Sequence, residues 1–393
     1  MHLRASAAAG TLVLLLAVAC SGTDDAASPA PTSGSPSATT SSPPASASAP
    51  SASPSRSPLA VPATSVAGVK VVATGLDVPW GLARQDDGSY LASLRDEARI
   101  VRVAPDGKVA RVPGTGPDGT IPGVQPDGEA GLLGIAFAPG DQSVLYAYLT
   151  AAGDNRVVAM RYAGGRLGAP TPLVTGIPKA DHHDGGRMAF GPDGMLYVTT
   201  GDGGVTSRAQ DRSSLGGKIL RVTRTGAPAP GNPFPGSRVW SYGHRNVQGL
   251  GWDDHGRMYA SEFGQDTWDE LNRILPGHNY GWPQVEGMGD AADVRRGFTP
   301  PLVVWPTDDA SPSGLAIGRG AVWLAALRGQ RLWRVPLNAD GATGQPTSLL
   351  HNEYGRLRTA VFDPDGTLLV FTSNTFRGSP GPDDDRLLRL TLH

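Results

Sequence analysis

Two residues of complementary chemistry stand at the ends of one short hairpin. His183 lies in Asp181-His182-His183-Asp184-Gly185-Gly186-Arg187, and Asp202 follows Gly201. Between them run Met188-Ala189-Phe190, the turn Gly191-Pro192-Asp193-Gly194, and Met195-Leu196-Tyr197-Val198-Thr199-Thr200. Two antiparallel strands joined by a tight turn bring their outer ends together, so His183 and Asp202 are expected to touch. A carboxylate against an imidazole fixes its tautomer and supports its positive charge, which suits a general base.

The hairpin belongs to a recurring phrase: an apolar or small start, a Gly or Asp-Gly turn, an apolar strand, a polar gap, and a short strand often ending near Arg-Val. Copies start at Gly81, Gly134, Arg187, Gly249, Gly314 and Thr359. Repeats spaced roughly 45 to 65 residues apart, each with several short strands, predict an all-β fold, a six-bladed β-propeller. A large β-sandwich is the competing architecture. No segment carries a long apolar period of 3.6, so helices should be few.

In a propeller the first strand of each blade lines the central channel. Residues just before it, and just after the antiparallel second strand, share one mouth. Those positions hold Pro79-Trp80, Glu129, His182-His183, His244-Arg245-Asn246-Val247-Gln248, Trp305-Pro306-Thr307 and Arg356-Leu357-Arg358, with Asp202, Glu262-Phe263-Gly264-Gln265 and Arg328 after second strands. Arg245, Arg328, Arg356 and Arg358 at one opening imply a polyanionic ligand, because guanidinium pairs carboxylates bidentately. Glu270 in Thr267-Trp268-Asp269-Glu270-Leu271-Asn272, followed by Gly277-His278-Asn279-Tyr280, reads either as part of a hard-cation site with backbone carbonyls or as a turn.

The N-terminal residues 1–20 read as an export signal: Arg4, a short apolar core from Leu12 to Val18, then Ala19-Cys20. That core is too short to span a bilayer. Cys20 is the only cysteine, in Leu16-Ala17-Val18-Ala19-Cys20, where a bacterial lipoprotein carries its acyl chains. The expectation is an exported protein anchored by lipid at Cys20 to the outer face of the cell membrane; cleavage after Ala19 with an incidental cysteine is the alternative. Residues 21–65, rich in Ser, Pro, Ala and Thr, read as a disordered tether. Residues 66–393 form the globular unit. A net charge of −2 without a basic patch argues against nucleic acid as a partner.

Several phrases, taken in order, resemble the quinoprotein glucose/sorbosone dehydrogenases, which use pyrroloquinoline quinone (PQQ). They are Gly128-Glu129-Ala130-Gly131-Leu132-Leu133-Gly134, His183-Asp184-Gly185-Gly186-Arg187, Gly217-Lys218-Ile219-Leu220-Arg221, Gly243-His244-Arg245-Asn246, Asp269-Glu270-Leu271-Asn272 and Asn279-Tyr280-Gly281-Trp282-Pro283. That family is a six-bladed propeller. The resemblance implies oxidation of aldoses at the anomeric carbon, with electrons passing to PQQ and then to an external acceptor. It implies that His183 takes the hydroxyl proton and that Asp202 orients it. Arg245, Asn246, Gln248, Thr307, Arg328, Arg356 and Arg358 would hold PQQ. Carbonyls of Gly264 and Gln265 would bind a Ca²⁺ at the cofactor, and Glu270 with the Tyr280 carbonyl a second Ca²⁺. Trp305 would flank the sugar, with His182 beside the base. Glu129 replaces a Gln of the soluble glucose dehydrogenases and is a second candidate base. Arg328 replaces a Lys, and Gln265 a Pro. Two other functions compete: a Ca²⁺-dependent lactone hydrolase on the same fold, which would not need the arginines, and a binding propeller that has lost its chemistry.

Overall fold

The computed structural model describes residues 57–393; the signal, Cys20 and the tether up to residue 56 lie outside the described residues. Six antiparallel sheets stand around a central channel, each built from strands in sequence order outward from it, except that the outermost strand of the sixth comes from the start of the chain. After β1 (Val66–Ala73), the first blade is β2 (Pro79–Arg84), β3 (Tyr90–Leu94), β4 (Arg99–Val103) and β5 (Val109–Val112). The second is β6 (Leu132–Ala138), β7 (Asp141–Thr150), β8 (Asn155–Ala163), the short β9 (Arg166–Leu167) and β10 (Thr171–Ile177). The third is β11 (Met188–Phe190), β12 (Leu196–Thr199), β13 (Lys218–Val222) and β14 (Val239–Tyr242). The fourth is β15 (Val247–Trp252), β16 (Met258–Glu262), β17 (Trp268–Ile274) and β18 (Val303–Pro306). The fifth is β19 (Pro312–Gly318), β20 (Ala321–Ala326), β21 (Arg331–Pro336) and β22 (Thr347–Leu349). The sixth is β23 (Leu357–Phe362), β24 (Leu368–Thr372) and β25 (Leu387–Leu392), completed by β1 from the other end of the chain, with Val69 opposite Leu390. Among the described residues the single α-helix is α1 (Ala291–Arg295).

The repeated phrase marks the inner strands: each copy start falls in, or one residue before, β2, β6, β11, β15, β19 or β23. Glycines recur there because neighbouring inner strands converge on the axis. A Cβ at Gly134 would overlap the Gly186 carbonyl oxygen of the next blade, and one at Gly249 the Ser313 carbonyl oxygen. The apolar core lies between blades. One cluster joins Tyr146, Tyr148, Val157 and Val174 of the second blade to Met188, Leu196, Val198 and Leu220 of the third. Stacked pairs of blades therefore bury apolar faces that neither sheet covers alone.

Ordered structure begins before Val66. The segment 57–65, assigned to the tether by composition, packs on the propeller: Ala63 is buried, its N–H donates to the Arg319 carbonyl (2.9 Å), and its own carbonyl accepts from Arg334 Nε (2.6 Å). Composition misled because a few backbone bonds and one small buried side chain suffice to dock a segment that carries no apolar stripe.

Candidate functional site

The β11–β12 hairpin does what its sequence requires. Met188 pairs with Val198 and Phe190 with Leu196. The Asp202 carboxylate is fully buried, and its Oδ1 lies 2.8 Å from His183 Nδ1. The same oxygen accepts from the Gly204 N–H (2.9 Å), and Oδ2 accepts from Trp282 Nε1 (2.9 Å). Burial alone would raise this carboxyl; the bond and charge of His183, with the Trp282 and Gly204 donors, more than offset that and leave it below its ordinary value. An ionised Asp202 accepts only, so it holds the proton on Nδ1 and leaves Nε2 as the basic ring nitrogen. His183 itself adopts φ +58°, a left-handed conformation uncommon for a residue with a Cβ. Gly201 makes room for it, since a Cβ there would overlap the His183 carbonyl oxygen.

Glu129 ties this pair to the channel mouth. Its Oε2 accepts from the His183 N–H (3.3 Å), and its Oε1 pairs with Arg377 Nη1 (2.8 Å). Glu129 also lines a cavity of about 260 Å³ with Trp80, Arg95, Gln248, Phe263, Arg328, Arg356, Arg358, Phe376 and Arg377. Five guanidinium groups thus face one carboxylate, Glu129. Within that lining, Arg356 Nε and Arg95 Nη1 are buried with no hydrogen-bond partner. Burial pushes Arg356 down and Arg358 well down. Buried cations and orphaned donors around one space call for an anion with several oxygens.

The sequence-derived residues divide between this cavity and its neighbours. Arg356 and Arg358 line it; Arg358 also reaches Gln248 Oε1 (3.4 Å) and Ser373 Oγ (3.2 Å). Arg328 lines it from an exposed position and pairs with Asp308 (2.5 Å). Arg245 is outside that lining. Its Nε and Nη2 both donate to Gln265 Oε1 (2.9 and 2.7 Å), and its guanidinium lies 5.5 Å over the Trp282 ring. Asn246 Oδ1 accepts from the Gly185 N–H (3.1 Å), supporting the His183 segment from the fourth blade. Thr307 lies in the β18–β19 connection, its hydroxyl 3.5 Å from the Asp266 carbonyl. His182 is half-exposed against Asp181, its ring 4.3 Å from that of His183.

Trp305 does not flank the cavity. It lies on the outer strand β18, buried against Trp333 at 5.7 Å in a cluster with Tyr259, Leu271 and Leu324. Nearness in sequence to an inner strand placed it at the mouth; strand register turns it into the space between the fourth and fifth blades.

A second, smaller cavity, about 10 Å³, is lined by Gly264, Glu270 and Tyr280 together with Glu262, Glu286, Arg245 and Trp282. Glu270 accepts from Asn272 Nδ2 (2.9 Å) and the Gly287 N–H (2.8 Å). Burial, then the neighbouring Glu262 charge, push its carboxyl up to about 8. Glu286 Oε1 gathers the N–H groups of Gln265, Asp266, Thr267 and Trp268. Three carboxyl groups, Glu262, Glu270 and Glu286, with carbonyls nearby make an oxygen-rich environment. Among the described residues no group of three His, Cys, Asp or Glu side chains has metal-binding geometry, so a cation there would depend on carbonyl and water oxygens.

Three contributors were given no role by the sequence reading: Arg95, Arg377 and Trp282. Arg95 follows β3 just as Asp202 follows β12 and Arg328 follows β20, so topological position alone could have found it. Trp282 stands within one of the family phrases, but nothing local points to its bond to Asp202, which spans 80 residues.

Residues 76–378 match the family described as Glucose / Sorbosone dehydrogenase. The structure is similar to that of a PQQ-bound aldose sugar dehydrogenase from Streptomyces coelicolor, with TM-score 0.79 and 54% identity, covering 85% of this chain and 100% of that one. An aldose sugar dehydrogenase of Escherichia coli is 29% identical over 355 residues, 80% of this chain and 92% of that protein. Quinoprotein glucose dehydrogenase B of Acinetobacter calcoaceticus is 31% identical over 257 residues, 56% of this chain and 53% of that protein, so the chain matches about half the length of that relative.

Proposed function

The chain belongs to the glucose/sorbosone dehydrogenase family, and from that premise we propose that it oxidises aldose sugars at the anomeric carbon to lactones, using PQQ and Ca²⁺, with His183 as general base. The observation that carries the reading is the buried His183–Asp202 pair joined through Glu129 to a cavity rich in arginine.

The residues fit the cofactor. PQQ carries three carboxylates, and the cavity supplies Arg356 and Arg358 deep inside, Arg328 and Arg377 at the rim, and unpaired donors on Arg95 and Arg356. When bound, PQQ would supply the hydride acceptor, for the anomeric hydrogen together with its electron pair. The chain's own part is orientation and proton handling. Asp202 keeps the Nδ1 proton in place, so Nε2 receives the proton of the anomeric hydroxyl as its C–H bond breaks and the C=O bond forms. Arg245, fixed by Gln265, adds positive charge beside Asp202 and Trp282. One Ca²⁺ is proposed at the carbonyls of Gly264 and Gln265 beside the cofactor, and a second at Glu270 with the Tyr280 carbonyl, where it would favour the ionised form of Glu270. Electrons then pass to an external acceptor. Anchoring through Cys20 belongs to the same proposal.

Metal-stripped protein mixed with PQQ and Ca²⁺ should reduce an artificial dye with a panel of aldoses. His183→Ala should lose roughly 10²–10⁴-fold in turnover, the usual contribution of a positioned base, while still binding PQQ. No PQQ binding and no dye reduction would sink the proposal; retained turnover in His183→Ala would move the base to Glu129 or His182.

A further inference from the structure

The central channel holds two cavities. The cavity at the mouth, about 260 Å³, is the one rich in arginine. A second, about 340 Å³, lies among the apolar residues of the inner strands, including Leu82, Phe137, Leu250 and Val361, and Arg187 also lines it. Trp80 lines the mouth cavity, and the Arg187 guanidinium stacks on the Trp80 ring at 4.1 Å. Arg187 therefore lies at the partition between the two spaces.

Its attachments cross the axis. From the third blade, Nε donates to the Gln248 carbonyl of the fourth (2.9 Å) and Nη2 to Thr359 Oγ1 of the sixth (3.2 Å). Nη1 lies 3.5 Å from the Trp80 carbonyl of the first blade, which also accepts from Thr359 Oγ1 (2.6 Å). None of these partners is anionic. Burial pushes Arg187 down to about 9, which still leaves it charged at neutral pH. Arg358, 5.9 Å over the same ring, likewise bonds only neutral oxygens of Gln248 and Ser373. A cation held in place without a counter-ion, in a medium less polarisable than water, acts strongly on charge that develops nearby and needs no reorganisation to do so.

We propose that Arg187 backs the floor of the cofactor cavity from beneath Trp80 and sets the reduction potential of the quinone above it: it closes the channel under that ring and holds a fixed positive charge there that favours the electron-rich, reduced state. The proposal rests on reading the mouth cavity as the PQQ site. Arg187 acts through Trp80 and is a positioning residue, not a catalytic one.

The test is the midpoint potential of PQQ bound to the full chain, by spectroelectrochemical titration, with PQQ affinity from fluorescence quenching, in wild type, Arg187→Gln and Arg187→Lys. Gln keeps amide donors and loses the charge; Lys keeps the charge and loses the planar fork. Arg187→Gln should weaken the reduced form about tenfold relative to the oxidised form, which for a two-electron couple lowers the potential by about 30 mV. Arg187→Lys should restore the wild-type potential even where its melting temperature is lower. An unmoved potential in Arg187→Gln overturns the proposal whatever happens to stability, and so does an equal fall in Arg187→Lys. Should Arg187→Gln fail to fold, Thr359→Asp sets a carboxylate against Nη2 and cancels the charge in place; the same fall is expected, and its absence is equally decisive. Wild-type protein that binds no PQQ would overturn the site reading and this inference together, whereas binding with an unmoved potential removes this inference alone.

Discussion

Replacing Asp202 by Asn exchanges one oxygen for an NH₂ group, and the structure leaves that group no suitable position. Oδ1 faces His183 Nδ1 and the Gly204 N–H; Oδ2 faces the Trp282 N–H. With the amide nitrogen at Oδ2, donor meets donor at Trp282. With it at Oδ1, donor meets donor at Gly204, and the amide donates to His183 Nδ1, which moves the imidazole proton to Nε2 and removes the base. Each orientation leaves a buried donor unpaired, at about 1–3 kcal/mol of stability. In the first orientation the tautomer survives, but the charged partner of the developing imidazolium is gone. Hydrogen bonds to charged groups contribute about 1.5–3 kcal/mol, so turnover falls roughly 10- to 150-fold even there. The second orientation costs more, up to the 10²–10⁴-fold typical of a lost base. The expected result is a kcat lower by about 10²-fold or more, with PQQ affinity kept. The assays are dye reduction by the reconstituted enzyme at saturating aldose, fluorescence titration with PQQ, and urea denaturation of the cofactor-free chain. An Asp202→Asn enzyme within threefold of wild-type kcat would refute the dyad as the proton acceptor.

Three other outcomes follow from the same contacts. Gly201→Ala drives a methyl group into the His183 carbonyl, and displacing the base by about 1 Å should lower kcat about 10²-fold; an unchanged kcat would mean that the His183 backbone gives way freely. Burial pushes the Asp184 carboxyl up to about 7 against the donors Asn155 and Ala180. A carboxyl raised in the folded state adds stability that is complete below about pH 4 and is lost as pH rises from there through about 7, at most about 4 kcal/mol in all. Denaturation midpoints measured from pH 4 to 8 should therefore fall less in Asp184→Asn than in wild type, and parallel curves would contradict this. A chain starting at Val66 loses the bonds of Leu59 and Ala63 to Arg319, of Ala63 to Arg334, and of Thr64 and Ser65 to the His393 carbonyl. It should unfold with about 3 kcal/mol less stability in urea, most of it from the buried Arg334 bond; an unchanged midpoint would show the docked segment to be energetically idle.

The inner strands and the hairpin were legible because each is written locally: a glycine where neighbouring strands converge, a Pro-Asp-Gly turn, and polar residues where the chain re-enters the mouth. His183 and Asp202 needed nothing beyond the period-2 logic of one hairpin. The outer strands were not legible, since their faces depend on the neighbouring blade, and Trp305 was misplaced for that reason. Arg245 shows a different limit. Topology brings it to the right side of the molecule, but the Gln265 amide turns its guanidinium toward the Trp282 ring and out of the larger cavity. Arg187 was visible within a motif, yet its role depends on Gln248, Thr359 and Trp80, which come from three other blades. Pairings between residues so distant in sequence leave no local periodicity to read.

The closing strand β1 has a consequence for how the molecule is made. It precedes every blade in the chain, but its partner is β25, the last strand. During synthesis Val66–Ala73 emerges first and has no mate until the final blade has left the ribosome, so the ring stays open for almost the whole of translation. A hydrophobic strand waiting that long would be a template for aggregation. This one is suited to the wait. Only Ala73 of its eight residues is buried in the finished fold, and Gly68 and Lys70 interrupt its valines. The propeller thus assigns its longest-unpaired edge to a strand with a single fully buried residue.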